Sequence, residues 1–152
     1  MYKRGLLIIL LCISLLLNGC GIIDMKKPSY NFYTLGLSNV MKSNQKSQVK
    51  VTDMNYHKSM FLEKEDISTI KNLLTYLKKN NYVTKSSALP TKPQYKIFFY
   101  YDSNEYIMNV YDTKYISLFP YDGNYDMDYI DTIGTYNNLN VFNLCKYIFS
   151  KK

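Results

Sequence analysis

Residues 95–119 read YKIFFYYDSNEYIMNVYDTKYISLF, and this stretch sets the expected fold class. It holds apolar or aromatic runs at residues 95–101, 105–111 and 115–119, separated by polar triplets. Aromatic and β-branched residues favour strands, and turns this short join neighbouring strands in antiparallel order. The stretch therefore predicts an antiparallel β-meander. Both sides of its first strand are largely apolar or aromatic, so the pattern leaves open which face of the sheet is buried.

Two amphipathic helices are predicted to cover this meander. In residues 64–79 apolar side chains recur at helical spacing, after an acidic run at residues 63–66 that suits the positive end of a helix dipole. Residues 138–150 repeat the pattern and bring Cys145 to the apolar side, whereas residues 126–135 fit neither a helix nor a strand clearly. The predicted fold class is α+β, an antiparallel β-meander covered by one or two amphipathic helices.

The chain before the meander divides into a tether and the start of the domain. Residues 49–54 and 56–62 predict two short strands, so residues 48–152 are expected to form a single small α+β domain. Residues 20–47 show no sustained period and are interrupted by Pro, Gly and Ser, which predicts a tether. Within the tether, a partly apolar patch at residues 30–37 either docks on the domain or touches the headgroup region of a membrane.

The N-terminus resembles the signal of a bacterial lipoprotein. Lys3 and Arg4 precede an apolar run at residues 6–17. The sequence LNGC at residues 17–20 then looks like a lipobox, in which a small residue precedes the cysteine that becomes lipidated.

This resemblance implies a cellular location for the protein. Residues 1–19 would be removed as a signal peptide, and Cys20 would carry diacylglycerol and palmitate. The mature chain would then be anchored to the extracytoplasmic face of the cell membrane. Alternatives are ordinary secretion and an uncleaved transmembrane helix, although a span needs about 20 apolar residues, more than residues 6–17 supply.

The composition favours anionic partners outside the cell. The chain has 19 Lys and Arg against 12 Asp and Glu, which gives a net charge of +7. Phospholipid headgroups and anionic wall polymers are the anions expected in an envelope, and nucleic acid is not an expected partner. A solvated lysine-rich surface without any partner explains the same charge. The heavy use of Lys, Asn, Tyr and Ile is typical of a low-GC Gram-positive genome.

No residue set predicts catalysis, a cofactor or a metal. His57 is the only histidine and has no catalytic motif around it, and Cys145 is most simply a small core residue. Oxygen-bearing side chains alternate through residues 122–128, as in a calcium loop. Such a loop needs Gly at its sixth position and Glu at its twelfth, where this chain has Met127 and Ile133.

Tyrosine is the most unusual feature of the composition, with 17 copies in the full chain and no Trp. Tyr106, Tyr111, Tyr115 and Tyr121 are the predicted binding residues, on one solvated sheet face beside lysines. A tyrosine offers a flat apolar ring and a polar tip, which suit a sugar chain or a peptide. The alternative is that tyrosine is common here because it fits half-buried strands.

The order of these parts resembles a small clostridial family of lipoproteins and exported proteins, domain of unknown function 5301. The resemblance covers roughly residues 63–133, and its specific motif is PYDGNY at residues 120–125, after a tyrosine-rich strand. It implies the fold and the address and carries no assigned activity.

The leading functional hypothesis is a lipid-anchored cell-envelope lipoprotein that acts as a binding or interaction module. Its partner would be an envelope protein or a wall polymer. One alternative is an envelope enzyme such as a hydrolase, which would depend on His57. The other is an immunity-type lipoprotein that intercepts a toxin.

Overall fold

The computed structural model describes residues 26–43, 46–85, 89–102, 104–121 and 124–151. Its α-helices in these ranges are α1 (Phe32–Lys42), α2 (Lys64–Tyr76) and α3 (Val141–Ser150). The strands are β1 (Ser47–Asp53), β2 (Lys58–Phe61), β3 (Tyr82–Val83), β4 (Tyr95–Tyr101), β5 (Asn104–Val110), β6 (Tyr115–Pro120) and β7 (Asp128–Asp131). One-turn 3-10 helices occur at Lys79–Asn81 and Asn137–Leu139.

All the strands named above form one antiparallel sheet in the order β2-β1-β4-β5-β6-β7-β3. Strands β4 to β6 are the predicted meander, and β7, from the segment that the sequence pattern left unassigned, extends it. The β1–β2 hairpin pairs with β4 and continues the sheet, while the two-residue strand β3 forms the far edge beyond β7. The predicted α+β class is confirmed.

The helices bury one face of this sheet. In β4 the side chains alternate between buried and half-buried, with Tyr95, Ile97, Phe99 and Tyr101 on the buried side. Met108 of β5 lies opposite Ile97 and belongs to the same buried cluster, which also takes in buried residues of α1, α2 and α3. The sequence pattern left open which face of the sheet is buried. The structure shows that it is the face that carries Ile97 and Met108.

The two predicted helices are confirmed, with small changes at their ends. At the start of α2, the Glu63 amide donates to Asp66 Oδ2 at 3.2 Å, as in a capping box. This helix ends at Tyr76, because Asn81 accepts the Lys78 amide at 2.9 Å and donates to the Asp131 carbonyl at 2.9 Å. These bonds turn the chain into β3 beside β7.

The predicted tether is corrected by α1. This helix, Phe32–Lys42, lies within residues 20–47, where the sequence had predicted a tether, and it packs on the domain through Tyr33, Thr34 and Leu37. It lies close to the sheet at Gly36, where an added Cβ would sit 2.7 Å from the hydroxyl of Tyr106. The partly apolar patch at residues 30–37 was expected either to dock on the domain or to touch a membrane. The structure shows it docked on the domain.

A buried carboxylate fixes α1 to β7. Asp128 Oδ2 accepts hydrogen bonds from the amide and the hydroxyl of Thr34, each at 2.7 Å. The other carboxylate oxygen of Asp128 pairs with the ammonium of Lys27, which also donates to the Asp126 carbonyl at 2.9 Å. Burying a carboxylate is unfavourable unless its charge is paired and hydrogen-bonded. Here Oδ2 accepts both hydrogen bonds from Thr34, and Oδ1 has the ion pair with Lys27.

Within the described ranges, none of the helices is long and apolar enough to cross a bilayer. Residues 1–25, which include the signal-like N-terminus and Cys20, lie outside the described residues.

We expect Leu37→Ala to lower the free energy of unfolding by about 3 kcal/mol, because it opens a cavity at a fully buried position of α1. Leu35→Ala in the same helix is the matched control: Leu35 is 48% exposed, and its loss should change stability by less than about 0.5 kcal/mol. Urea unfolding of the two variants compares them. Equal small effects would mean that α1 does not belong to the folded domain.

We also expect Asp128→Ala to lower the free energy of unfolding by about 3 kcal/mol, because it leaves the Thr34 amide without its acceptor and the Lys27 ammonium without its counter-charge. Asp126→Ala is the control, since Lys27 uses only the backbone carbonyl of that exposed residue. Thermal melting of both variants tests this, and a stable Asp128→Ala protein would contradict the role assigned to the carboxylate.

Candidate binding face

The side of the sheet opposite the helices carries a row of aromatic and apolar side chains. Through the strand register, Phe61 of β2 lies beside Lys50 of β1, followed by Phe98 of β4, Ile107 of β5 and Phe119 of β6. Phe61 is 59% exposed. We call this side of the sheet the open face, because the three helices described here all pack on the other side.

A second row runs beside the first on the open face. It contains Gln48 of β1, Tyr100 of β4 and Glu105 of β5. The Tyr121 amide donates to the Glu105 carbonyl at 3.0 Å, which places Tyr121 at the end of this row with a side chain that is 73% exposed. The two rows give the open face a band of rings with polar groups among them.

Lys50 adds a positive charge to this band. The rings of Phe98 and Tyr100 are nearly parallel, at an interplanar angle of 9° with centroids 6.3 Å apart. The Lys50 ammonium lies 5.3 Å from the Phe98 centroid and 5.7 Å from the Tyr100 centroid, so it interacts with both ring faces. A flat aromatic surface with a cation at its side suits a ligand that has both apolar faces and negative charge.

A shallow cleft adjoins the second row at the end of β4, β5 and β6. Its volume is about 380 Å³, and its lining includes Tyr100, Tyr121, Asp102, Asn104 and Glu105. Carboxylate, amide and hydroxyl groups here are able to accept or donate hydrogen bonds to a polar ligand. The cleft is therefore a polar extension of the aromatic band.

The structure does not bring the four predicted tyrosines together. Tyr106 is buried on the helix side, beneath Gly36 of α1, so the expectation that its ring is solvated is wrong. Tyr111 and Tyr115 follow the alternation of the open face, but Tyr111 is buried and Tyr115 is half-buried beside Lys114. Of the four, only Tyr121 is broadly exposed.

Tyr111 is buried by a small polar cluster on the open face. Its hydroxyl shares a 3.3 Å hydrogen bond with Ser117 Oγ, and Asn109 Nδ2 donates to the same oxygen at 3.1 Å. Met127 covers the group, with its sulfur 3.4 Å from Ser117 Oγ. These contacts use the polar tip that a binding tyrosine would present to a ligand.

Sequence reasoning missed Lys50, Phe61 and Phe98 as surface residues. The alternation along residues 95–101 was visible, but both sides of this strand are largely apolar or aromatic, with Lys96 as the one charged residue. The choice between the sides depends on which one the helices cover, and that is a property of the tertiary structure. With the buried side known, the register alone identifies the aromatic row.

The other candidate groups do not form a reactive site. His57 lies exposed in the β1–β2 turn with a positive φ of 54°, a turn also held by Asp53 Oδ1, which accepts the Asn55 amide at 2.8 Å. Cys145 is fully buried in α3, and burial raises the pKa of its thiol far above the usual range. A nucleophilic cysteine needs the opposite shift.

In the oxygen-rich run at residues 122–128, the last carboxylate, that of Asp128, has a structural role. Asp128 turns inward to Thr34 and Lys27, and residues 122 and 123 lie outside the described ranges. Across the parts of the chain that the structure describes, no three His, Cys, Asp or Glu residues are grouped closely enough to hold a metal ion.

These features define the class of protein: a two-layer α+β domain with helices on one side of an antiparallel sheet and an aromatic band on the other. The chain belongs to the family described as a domain of unknown function (DUF4883), which matches residues 27–145. A family of unknown function was expected, but its number differs from the 5301 that the motif at residues 120–125 suggested. The match begins at Lys27 and includes α1.

A solved structure is also similar to this chain. The crystal structure of a protein described as a putative lipoprotein from Clostridium perfringens has a TM-score of 0.73 and 32% sequence identity. The similarity covers 82% of this chain and 99% of that one. No curated protein matches the chain.

We expect Cys145 to resist thiol reagents in the folded protein, because the thiol is buried and its raised pKa keeps it protonated. The test uses the full chain with Cys12→Ser and Cys20→Ser, so that Cys145 is the one remaining thiol. Ellman's reagent at pH 8 should give no fast reaction in buffer and one equivalent in urea. Adding Ser150→Cys, exposed at the end of the same helix, supplies the reactive control. Fast reaction without the added cysteine would reopen a nucleophilic role.

Proposed function

We propose that this protein is a lipid-anchored lipoprotein of the cell envelope whose open face binds a wall polymer. Cys20 carries the lipid, and the domain lies on the extracytoplasmic side of the cell membrane. The lipobox-like residues 17–20 support this address, as does the similarity to a protein described as a lipoprotein. The ligand assignment rests on the open face.

The single observation that carries the binding role is the Lys50 ammonium over the rings of Phe98 and Tyr100. Apolar sugar faces stack on flat aromatic rings, and the polar tip of Tyr100 reaches sugar hydroxyls. The ammonium attracts the carboxylate or phosphate groups of an anionic wall polymer. A long polymer also suits a band that runs across several strands better than it would suit an enclosed pocket.

The hydrolase alternative has less support. It was expected to depend on His57, which lies exposed in a hairpin turn, and the one cysteine of the described residues is buried and protonated. An envelope protein is the remaining alternative ligand, and the experiment below distinguishes it. Nothing in the described residues favours the immunity-type role over the others.

We expect the combined change Phe61→Ser, Tyr100→Ser and Tyr121→Ser to weaken retention of the detergent-solubilised full chain on purified cell-wall sacculi by about tenfold or more. These three side chains supply exposed or half-exposed ring area on the open face. Lys50→Ala should remove most of the salt-sensitive part of the binding, because a surface charge interaction is screened by salt.

The matched control is Tyr56→Ser, Tyr136→Ser and Tyr147→Ser. It removes three rings that are 76%, 63% and 54% exposed but lie in the β1–β2 turn, near α2 and on α3. Its retention should equal that of the unchanged protein. If both triple variants bind equally well, the open face is the wrong surface. If the unchanged protein is not retained at all, the wall polymer is excluded and an envelope protein becomes the candidate ligand.

A further inference from the structure

The described domain begins very near the proposed lipid anchor. Lys27 is held by Asp128 and by the Asp126 carbonyl, and its ammonium lies 5.0 Å from the ring centroid of Tyr33. Lys27 follows Cys20 by seven residues. A fully extended chain of that length spans at most about 25 Å. An anchored domain is therefore kept close to the bilayer, and one of its surfaces must face it.

The outward side of α1 carries exposed apolar side chains. Phe32 and Leu35 are 38% and 48% exposed, and Asn39 continues the same side of the helix at helical spacing. This side is opposite the one that buries Leu37 against the sheet. Tyr30, which is 51% exposed, lies just before the helix. We call Tyr30, Phe32 and Leu35 the α1 patch.

Neighbouring rings hold the α1 patch in place. Tyr30 packs edge-on against Tyr82 of β3, with centroids 5.1 Å apart. Phe32 packs against Tyr125 at 5.5 Å. These aromatic side chains are thus fixed while a large part of each faces outward. Rings of this kind, with a polar tip on tyrosine, favour the boundary between lipid headgroups and acyl chains.

The charge around the α1 patch has the sign that an anionic bilayer attracts. Lys26 is exposed before the patch, and Lys42 is exposed at the last turn of α1 on the same side as Leu35. On the adjoining segment, the carboxylate of Asp128 is paired with Lys27, and Asp126 is exposed, with its backbone carbonyl accepting from Lys27. Basic residues beside an acyl anchor add to membrane attraction.

We propose that the α1 patch is a membrane-contact surface that docks on the anionic bilayer beside the anchor. This proposal rests on the lipid anchor of the proposed function. The bilayer is the occupant because the short chain from Cys20 keeps it within reach and because the lysines match its charge. Since the α1 patch and the open face point in opposite directions, docking directs the open face away from the membrane, toward the wall.

The experiment uses the acylated full chain, reconstituted into phosphatidylglycerol-containing vesicles that carry a nitroxide quencher at the headgroup. A fluorescent label is attached at Leu35→Cys or, in a second protein that keeps all apolar residues, at Asn39→Cys. The matched control is Phe61→Cys, another exposed apolar position, at the opposite edge of the sheet. Every labelled protein also carries Cys12→Ser, Cys145 is buried, and an acylated Cys20 has no free thiol, so the label is specific.

Quenching several-fold stronger at residues 35 and 39 than at residue 61 is the expected result. Equal weak quenching at all three positions, with the protein bound to the vesicles, overturns the membrane-contact surface and leaves the anchor intact. Labels at residues 35 and 39 that are shielded from aqueous iodide but not reached by the lipid quencher show that another protein surface covers the patch, which also overturns it. Protein that does not float with the vesicles overturns the anchor, and with it both proposals.

Discussion

The fold depends on one buried carboxylate that joins residues far apart in the chain. Asp128 receives two hydrogen bonds from Thr34, 94 residues earlier, and the charge of Lys27. A charged carboxylate at this depth is stabilised by such partners, so docking of the N-terminal segment favours the place of β7 in the sheet. The same contacts fix where α1 lies, how closely it approaches Tyr106 and where the chain leaves the domain.

The parts of the fold that local patterns determine were predictable. Residues 95–119 alternate with period 2 and have short polar turns, and residues 64–79 repeat with helical spacing, so both elements follow from the sequence. Helix α1 was missed because Gly36 and Ser38 interrupt its pattern and Ser29 and Ser43 flank it. Its stability comes from burial of Leu37 and from the hydrogen bonds to Asp128. Neither of these can be inferred from a short stretch of sequence.

The candidate site was only partly predictable for the same reason. Because side chains alternate along a strand, Tyr106 and Tyr111 are expected on opposite sides of the sheet. The alternation alone does not show which of the two sides the helices cover. The prediction placed them on one solvated face, whereas one ring is buried under α1 and the other is bonded to Ser117. The exposed rings belong to residues such as Phe61 and Phe98, whose alignment depends on register across β2, β1 and β4.

The two-layer architecture links the two proposed surfaces. A sheet covered by helices on one side has two outward surfaces, the backs of the helices and the open face of the sheet, and they point in opposite directions. Seven strands at about 4.8 Å spacing also place the β2 edge about 30 Å from the β3 edge, against which Tyr30 packs. In the proposed anchored protein, the short chain from Cys20 would give the membrane surface a high effective concentration at α1, so that even weak lipid contacts would bias the orientation. That orientation would turn the open face, with Phe61 and Lys50, away from the bilayer and toward the proposed wall polymer.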